Sequence, residues 1–434
     1  MQELQNIIRA QTLALVIVAC SPMIALAEAQ ATPAQDDTSA ALANQALQKN
    51  PSVAALKFQV RALEERVHKS GAWLDPKVAI ELSNIPIDSW TLGDHGMSGL
   101  QLKLQQTFLF PGKIGGRKEV ARGQVREQRL LLKEREVQLG AAVKRAYYSL
   151  ALVRQLRQVT ANHVALVAQF IGVVRVKYEV GKVGQHDLLR LQLLERTLKD
   201  DLKSFQREDE ALMATINAAL HRALSTPIKT PKRVSQPAPS RTVKDFTSLA
   251  IQSRPLLRWY VEQARTRRTA AQQAAREGYP DLTAWIGYRI RKRAGADEGT
   301  DFFSVGISVP IPLFFDSRWG SQRRENMARA WALEAQRSAE LNRIAGDLGR
   351  NIAAWKRAAQ KAKAYRDTLM PLAHHTLDAT FAAYQVDRAD FASLFQAEMQ
   401  LLNFERAIFR AEARAALSHV EVQALTGTQR REGE

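Results

Sequence analysis

Cysteine is almost missing from this chain: Cys20 is the only one in 434 residues. That excludes an internal disulfide framework and any multi-thiolate metal site within one chain. The signatures of the common enzyme classes are missing too. There is no glycine-rich phosphate loop, no nucleophile elbow, and no helix-borne histidine pair with a glutamate between them. Paired carboxylates such as Asp200-Asp201 read as charge on a helix face. His374 and His375 are adjacent, about 100° apart on a helix, and cannot chelate as an i, i+4 pair would. His95 and Met97 fall in a predicted external loop and offer at most a weak soft-metal contact. Neither an enzyme nor a cofactor is expected. Acidic residues are in deficit, and the formal net charge of +18 would suit nucleic acid or an anionic membrane. Aromatic residues are scattered, however, and no zinc-finger or RNP-like pattern appears. The lysines and arginines read instead as the solvent faces of long helices.

Proline is absent from Gly112 to Thr226. Inside a helix it removes a hydrogen bond and clashes with the preceding turn. A proline-free run of this length therefore permits helices far beyond the usual three turns. The run softens once, at Gly181-Lys182-Val183-Gly184, where two glycines predict a turn. Before that turn, Gly116 to Val180 reads as one helix of roughly 65 residues, on the order of 100 Å long. A heptad series through Val125, Leu132, Leu139, Ala146, Val153, Thr160, Val167 and Val174 is apolar at every step but one. Its companion stripe, Val143, Leu150, Val164, Ile171 and Tyr178, is broken by Arg129, Glu136 and Arg157. The seam is an imperfect coiled coil. No single globular domain needs a helix that long, so something has to be spanned.

The N-terminal apolar stretch is too short to cross a membrane as a helix. Arg9 followed by Leu13–Ala19 has the form of an export signal. Two cleavage readings stand. Ala25-Leu26-Ala27 fits an ordinary signal-peptidase site and gives a signal peptide over 1–27. Ile17-Val18-Ala19-Cys20 resembles a lipobox, giving a signal over 1–19 and an acylated Cys20. Apolar residues continue from Met23 to Leu26, which favours the first. On either reading the chain leaves the cytoplasm, which argues against a nucleic-acid partner.

After a polar connector around Ala31–Ala40, helical pattern begins. Asn50-Pro51 supplies an N-cap and a first-turn proline for a helix that ends near Gly71. The period then drops to two. Val78, Ile80 and Leu82 alternate with Ala79, Glu81 and Ser83. Past the turn-rich Asp88–Gly99, Leu100, Leu102 and Leu104 alternate with Gln101, Lys103 and Gln105. Two strands of about ten residues in a hairpin over 77–110 are predicted.

The chain then repeats itself. Pro51 and Pro76 recur 204 residues on as Pro255 and Pro280, and Leu109-Phe110 recurs as Leu313-Phe314. Farther along the offset is 206, matching Arg117-Lys118-Glu119 with Arg323-Arg324-Glu325 and Tyr178 with Tyr384. A two-residue insertion near Trp319–Gln322 accounts for the change. The organisation is an internal duplication. A first repeat covers 44–222 and a second covers 247–427, with its hairpin over 281–314. Between them a proline-rich linker over 223–246 reads as lying outside the core, and a polar tail follows over 428–434. The second hairpin alternates at Leu282, Ala284, Ile286, Tyr288 and Ile290, then at Phe303, Val305, Ile307, Val309 and Ile311. Pro371 falls inside the second long helix and should kink it.

Strands of this length with one apolar face match transmembrane β-strands. Four cannot close a barrel, and open edges cannot stand in lipid. Three chains would supply twelve strands. Arg289, Lys103 and Glu81 on the opposite faces suit a water-filled lumen. The competing architecture is a soluble protein whose hairpins pack on its helices.

Further residues extend this plan. The first hairpin exits through Gln106-Thr107-Phe108-Leu109-Phe110-Pro111-Gly112-Lys113. Two tip motifs close the long helices. One is Lys177-Tyr178-Glu179-Val180-Gly181-Lys182 with Asp187-Leu188-Leu189; the other is Ala383-Tyr384-Gln385-Val386-Asp387-Arg388 with Phe391. From about Asn44 to Gly427 the chain resembles the outer-membrane efflux proteins of the TolC type, the exit ducts of bacterial tripartite pumps and type I secretion.

That resemblance implies a mainly α fold with a small β part: a long coiled-coil-like helical barrel in the periplasm and a twelve-stranded transmembrane β-barrel in the outer membrane, built by a homotrimer. The Pro-Gly-Lys exit and Met97-Ser98-Gly99 look most like the heavy-metal-exporting CzcC- and CusC-like branch. The implied partners are a periplasmic adaptor, an inner-membrane pump of RND type and outer-membrane lipid. Drug efflux or type I secretion is the alternative role, and a coiled-coil structural protein without a pore is the alternative of another class.

Adaptor docking would fall to Val180, Gly181, Lys182, Gly184, Leu188, Val386, Arg388 and Ala389. A periplasmic gate would involve Asp187, Tyr384, Asp387, Asp390, Ser393 and Gln396. Here the chain departs from the family. Ser393 and Gln396 stand where the type member has paired aspartates, and Ala389 replaces the arginine of its tyrosine–arginine–aspartate lock. Asp390 reads either as an N-cap of the returning helix or, with Asp187 and Asp387, as part of an acidic collar on a threefold axis.

Overall fold

The computed structural model describes residues 38–92, 94–234 and 236–428. The export-signal readings, with Cys20, and the tail beyond 428 lie outside the described residues.

Helix α1 (Ser39–Lys49) is followed at once by α2 (Pro51–Ser70). Asn50 makes the break: its side-chain oxygen accepts the Ser52 N–H at 2.9 Å, and Pro51 takes the first turn, where no amide is missed. The first hairpin is β1 (Lys77–Ser83) and β2 (Gly99–Phe108). From it rises α3 (Lys113–Glu179), 67 residues without interruption. Gly112, at φ +90°, turns the chain into it, so the helix starts a little before Gly116. The heptad series lies largely inward, with Val153 3% exposed and Val167 and Val174 fully buried, and Val143 and Leu150 of the companion stripe are at most 1% exposed. Thr160, its polar step, is fully buried and accepts a hydrogen bond from Arg406 at 2.9 Å. One stretch of α3 is long and apolar enough to cross a membrane by composition. The buried side chains of α3 pack against α1, α4, α8 and α9. The chain returns along α4 (Gln185–Ala219).

The second half repeats the plan with α5 (Val243–Ser253), α6 (Pro255–Glu277), β3 (Leu282–Arg291) and β4 (Phe302–Ser308). Its long helix comes in pieces. A π turn (Asp316–Gly320) precedes α7 (Ser321–Ala364), and a second (Tyr365–Leu369) separates α7 from α8 (Met370–Gln385). The stretch between Phe314 and Arg323, over which the repeat offset changes, contains the first π turn. The interruption expected at Pro371 is the second, whose wider winding absorbs the amide that proline lacks. Helix α9 (Phe391–Thr426) completes the chain.

The two hairpins join into one antiparallel sheet, ordered β1-β2-β3-β4. Register aligns like with like: Ile80 opposes Leu102, Leu102 opposes Tyr288, and Tyr288 opposes Phe303. This row is 71, 40, 46 and 68% exposed. The reverse face is polar, with Arg289 donating to Gln101 at 3.0 Å and Lys103 lying 4.4 Å over the Trp285 ring. The inner strands β2 and β3 run ten residues, whereas β1 and β4 run seven rather than the ten expected. Among the described residues nothing pairs with their outer edges.

The helices bury their apolar surface in three clusters. One lies between α1, α3, α4 and α9, another between α5, α6, α7 and α9, and the third near the helix tips, between α3, α4, α8 and α9. The linker requires a correction. Ile228 and Val234, each 3% exposed, belong to the first cluster with Leu150 and Ile216. Arg154 holds this segment down, donating to the Ile228 carbonyl at 2.5 Å and to Asp209 at 2.5 Å. Proline content hid these two apolar anchors.

Candidate functional site

The expected gate and docking residues gather where the long helices turn. Helix α3 stops at Val180, and Gly181 at φ +73° lets the chain reverse before Gly184 opens α4. The second turn has the same backbone. Asp387, at φ +62°, occupies the place of Gly181, and Asp390 occupies that of Gly184 at the start of α9. Aspartate tolerates the left-handed conformation better than most side chains. Each turn closes with the same amide bonds: Lys182 N–H to the Lys177 carbonyl at 2.9 Å, and Arg388 N–H to the Ala383 carbonyl at 2.8 Å.

What differs is charge. The Asp387 carboxylate accepts from both Lys177 and Lys182. Lys177, its side chain 11% exposed, also donates to the Tyr384 carbonyl at 2.5 Å and sits 4.5 Å over that ring. Those hydrogen bonds, Lys177 first, hold Asp387 down to a pKa of about 2. Tyr384 is 2% exposed, and its hydroxyl has no partner among the described residues. Burial, then Asp187 and Asp387, raise its pKa. Asp187 faces His186 Nε2 at 3.1 Å. Asp390 accepts the Ser393 N–H at 2.8 Å, so the N-cap is formed. Ser393 and Gln396 stand exposed on α9. The Asp387 carboxylate, one of the three acids of the collar reading, is thus neutralised within its own chain by two ammonium groups.

Of the docking residues, Val180 and Val386 are 65 and 63% exposed, and Gly181, Lys182 and Arg388 are exposed with them. Gly184 is half-buried. Leu188 and Ala389 turn inward onto the tip cluster. Leu189 and Leu193, at 53 and 69% exposure, stand out in place of Leu188. Lys177 was not anticipated. Its repeat equivalent is Ala383, and that charge difference between two matched motifs was the available signal.

A second cluster was not anticipated either. His163, on α3, faces two carboxylates of α9: Glu398 at 2.5 Å from Nδ1 and Glu405 at 3.1 Å from Nε2. His163 and Glu398 are buried. Burial alone would lower the imidazole pKa, but the bonds to Glu398 and then Glu405 outweigh it and raise it to about 9. The spacing of Glu398 and Glu405, one heptad apart and so on one helix face, was its only mark in sequence. His374 lies half-exposed, 3.7 Å from Glu405. Among the described residues, no group of three such side chains is placed to hold a metal ion.

The family model for outer membrane efflux proteins matches residues 42–218 and 247–428. Among solved structures, the outer-membrane channel OprN is similar over 90% of this chain and 90% of its own, at 15% identity and a TM-score of 0.75. The outer membrane protein VceC of Vibrio cholerae is similar over 89% of this chain and 95% of its own, at 17% identity and a TM-score of 0.72. CusC is similar over 90% of this chain and 92% of its own, at 14% identity and a TM-score of 0.72. At such identities the likeness is one of fold. No curated protein matches the sequence.

Proposed function

The chain belongs to the outer membrane efflux protein family, and we propose that it works as a homotrimer, the exit duct of a tripartite pump. It is an outer-membrane channel protein and not an enzyme. The observation that carries the trimer is the four-stranded sheet, apolar outward and open at both edges. Lipid satisfies no backbone group, so an open edge must find a strand. In a ring of three, β4 of one copy meets β1 of the next. This junction repeats between copies the β2–β3 pairing that already joins the halves within one chain.

The two turns then form the periplasmic mouth. Exposed Val180, Val386 and Leu189 offer apolar surface to a periplasmic adaptor, and the lysine–aspartate clamp ties the turns to each other inside each protomer. Bulky residues at Gly181 should abolish efflux while leaving the trimer in the membrane; loss of the trimer would assign Gly181 to folding instead. The cargo we infer is a heavy-metal cation delivered by an RND-type pump, supported by the Pro111-Gly112-Lys113 exit and the Met97-Ser98-Gly99 approach.

The test is a heat-modifiable trimer from outer membranes with single-channel conductance in planar bilayers. Absence of both would leave a coiled-coil structural protein without a pore. Cargo is tested by deletion. Sensitivity to zinc, copper or cobalt salts should rise, whereas sensitivity to drugs alone would replace metal export by drug efflux.

A further inference from the structure

The two halves part company where their hairpins meet the helices. In the first half the chain leaves β2 through Pro111-Gly112-Lys113, and Lys113 is consumed by Asp281 at 2.7 Å. The second half carries Leu313-Phe314-Phe315-Asp316-Ser317-Arg318-Trp319 through the first π turn. Leu313 and Phe314 are 79 and 76% exposed, continuing the apolar face of the sheet past its end. Phe315 and Trp319 are seated rather than loose. They lie against Gly278, where an added Cβ would come within 2.2 Å of the Phe315 ring and 3.0 Å of Trp319.

Arginine accompanies this apolar surface. Arg318 is stacked 4.7 Å over Trp319, and Arg323 is exposed on the first turn of α7. Among the described residues neither has an ion-pair partner, whereas neighbouring Arg324 is matched by Asp316 at 3.0 Å. Exposed leucine and phenylalanine beside a seated tryptophan and unneutralised guanidiniums is the composition of a membrane–water interface. Guanidinium groups pair with phosphate through two parallel hydrogen bonds.

We propose that the segment Leu313–Arg323 is a binding site for the phosphodiester headgroup of an anionic phospholipid in the periplasmic leaflet. Arg318 and Arg323 hold the phosphate, Leu313 and Phe314 meet the acyl chains, and Trp319 marks the boundary. The site rests on the reading that the sheet spans the outer membrane. It belongs to the second half, because in the matching stretch of the first Lys113 is paired with Asp281 and Arg117 with Glu277.

The purified full-length trimer tests it in two ways. Native mass spectrometry should find phosphatidylglycerol retained in preference to phosphatidylethanolamine, up to three molecules per trimer. Replacing Arg318→Gln or Arg323→Gln should weaken retention about fivefold for each arginine. In vesicles containing phosphatidylglycerol brominated on its acyl chains, tryptophan emission should be quenched, and Trp319→Phe should remove part of that quenching. Retention unchanged in the double arginine variant overturns the site. Release of the lipid by millimolar inorganic phosphate overturns it in favour of a free-anion site, and preference for lipopolysaccharide overturns the leaflet assignment. A heat-modifiable trimer that inserts yet retains no phospholipid refutes the site and leaves the channel intact. A chain that does not insert at all refutes both.

Discussion

The turns at Gly181 and Asp387 share a backbone and differ in nearly everything else. Both residues are left-handed, both turns close with the same amide bonds, and both open the returning helix at the same distance. One turn is glycine with no side-chain cap; the other is aspartate, capped and clamped. The repeated shape carries different side-chain contacts in the two halves. The same contrast recurs along the chain. The long helix of the first half is uninterrupted, whereas that of the second opens on one π turn and is broken by another.

The largest departure from equivalence lies between the halves. His163 of α3 joins Glu398 and Glu405 of α9, while the repeat-related positions hold Leu369, Gln192 and Lys199. His163→Leu should therefore leave two carboxylates without their cation and cost on the order of 3–5 kcal/mol in denaturant unfolding of the trimer. The folded pKa is raised from 6.5 to about 9. The stabilisation is then fully present below pH 6.5 and is lost as pH rises through about 9. Unfolding midpoints of the parent should fall between pH 7 and 10, and those of His163→Leu should not share that fall. Equal stability of parent and variant would mean that the halves meet as equals after all.

The sheet supplies the opposite expectation, that the halves behave alike. Leu102→Arg in β2 and Val305→Arg in β4 should each cost roughly 2–4 kcal/mol near the bilayer midplane. Gln101→Arg and Ser304→Arg, on the reverse face, should cost little. The readout is the yield of heat-modifiable trimer. Tolerance of arginine on both faces would remove the membrane from the account.

Strands and the long helix were legible because their signals are local. Period-two alternation marks Val78 to Leu82, and the proline-free run marks α3. The missing parts were pairings at a distance. Nothing near His163 names Glu398, 235 positions away, and nothing near Asp387 names Lys177. Lengths also depend on neighbours. β1 and β4 alternate like β2 and β3 but stop short, because pairing rather than pattern ends a strand. In the linker, two buried side chains were outvoted by four prolines.

A smaller effect sharpens the comparison of the turns themselves. Asp390 caps α9 through the Ser393 N–H, so Asp390→Ala should cost about 1 kcal/mol. Gly184 makes no side-chain cap, and Gly184→Asp should gain a few tenths of a kcal/mol at most. The atoms nearest to an added Cβ there belong to the exposed His186 ring, which can swing aside. Thermal unfolding of both variants measures the asymmetry. Equal and opposite shifts would make the turns interchangeable, whereas a loss at Gly184 would show that its turn has no room for a side chain.

The smallest stability effect carries the largest functional one. Asp387→Gly puts the residue of the first turn into the second. It relieves a left-handed aspartate and removes the carboxylate shared by Lys177 and Lys182, so the two consequences offset. The trimer should unfold almost as the parent does. Its conductance should rise, because the cross-tie between the turns is gone while each helix stays in place. Asp387→Asn separates the causes: it keeps the left-handed residue and loses only the charge. The folded pKa of Asp387 is depressed to about 2 from 3.8, so the clamp is present above pH 3.8 and is lost as pH falls through about 2. Parent conductance should be flat from pH 7 to 4 and climb only near the acid limit of the bilayer experiment. The Asn variant should be open throughout. Parent and Asn variant with the same conductance and the same acid profile would make the two turns equivalent in function, as they already are in shape.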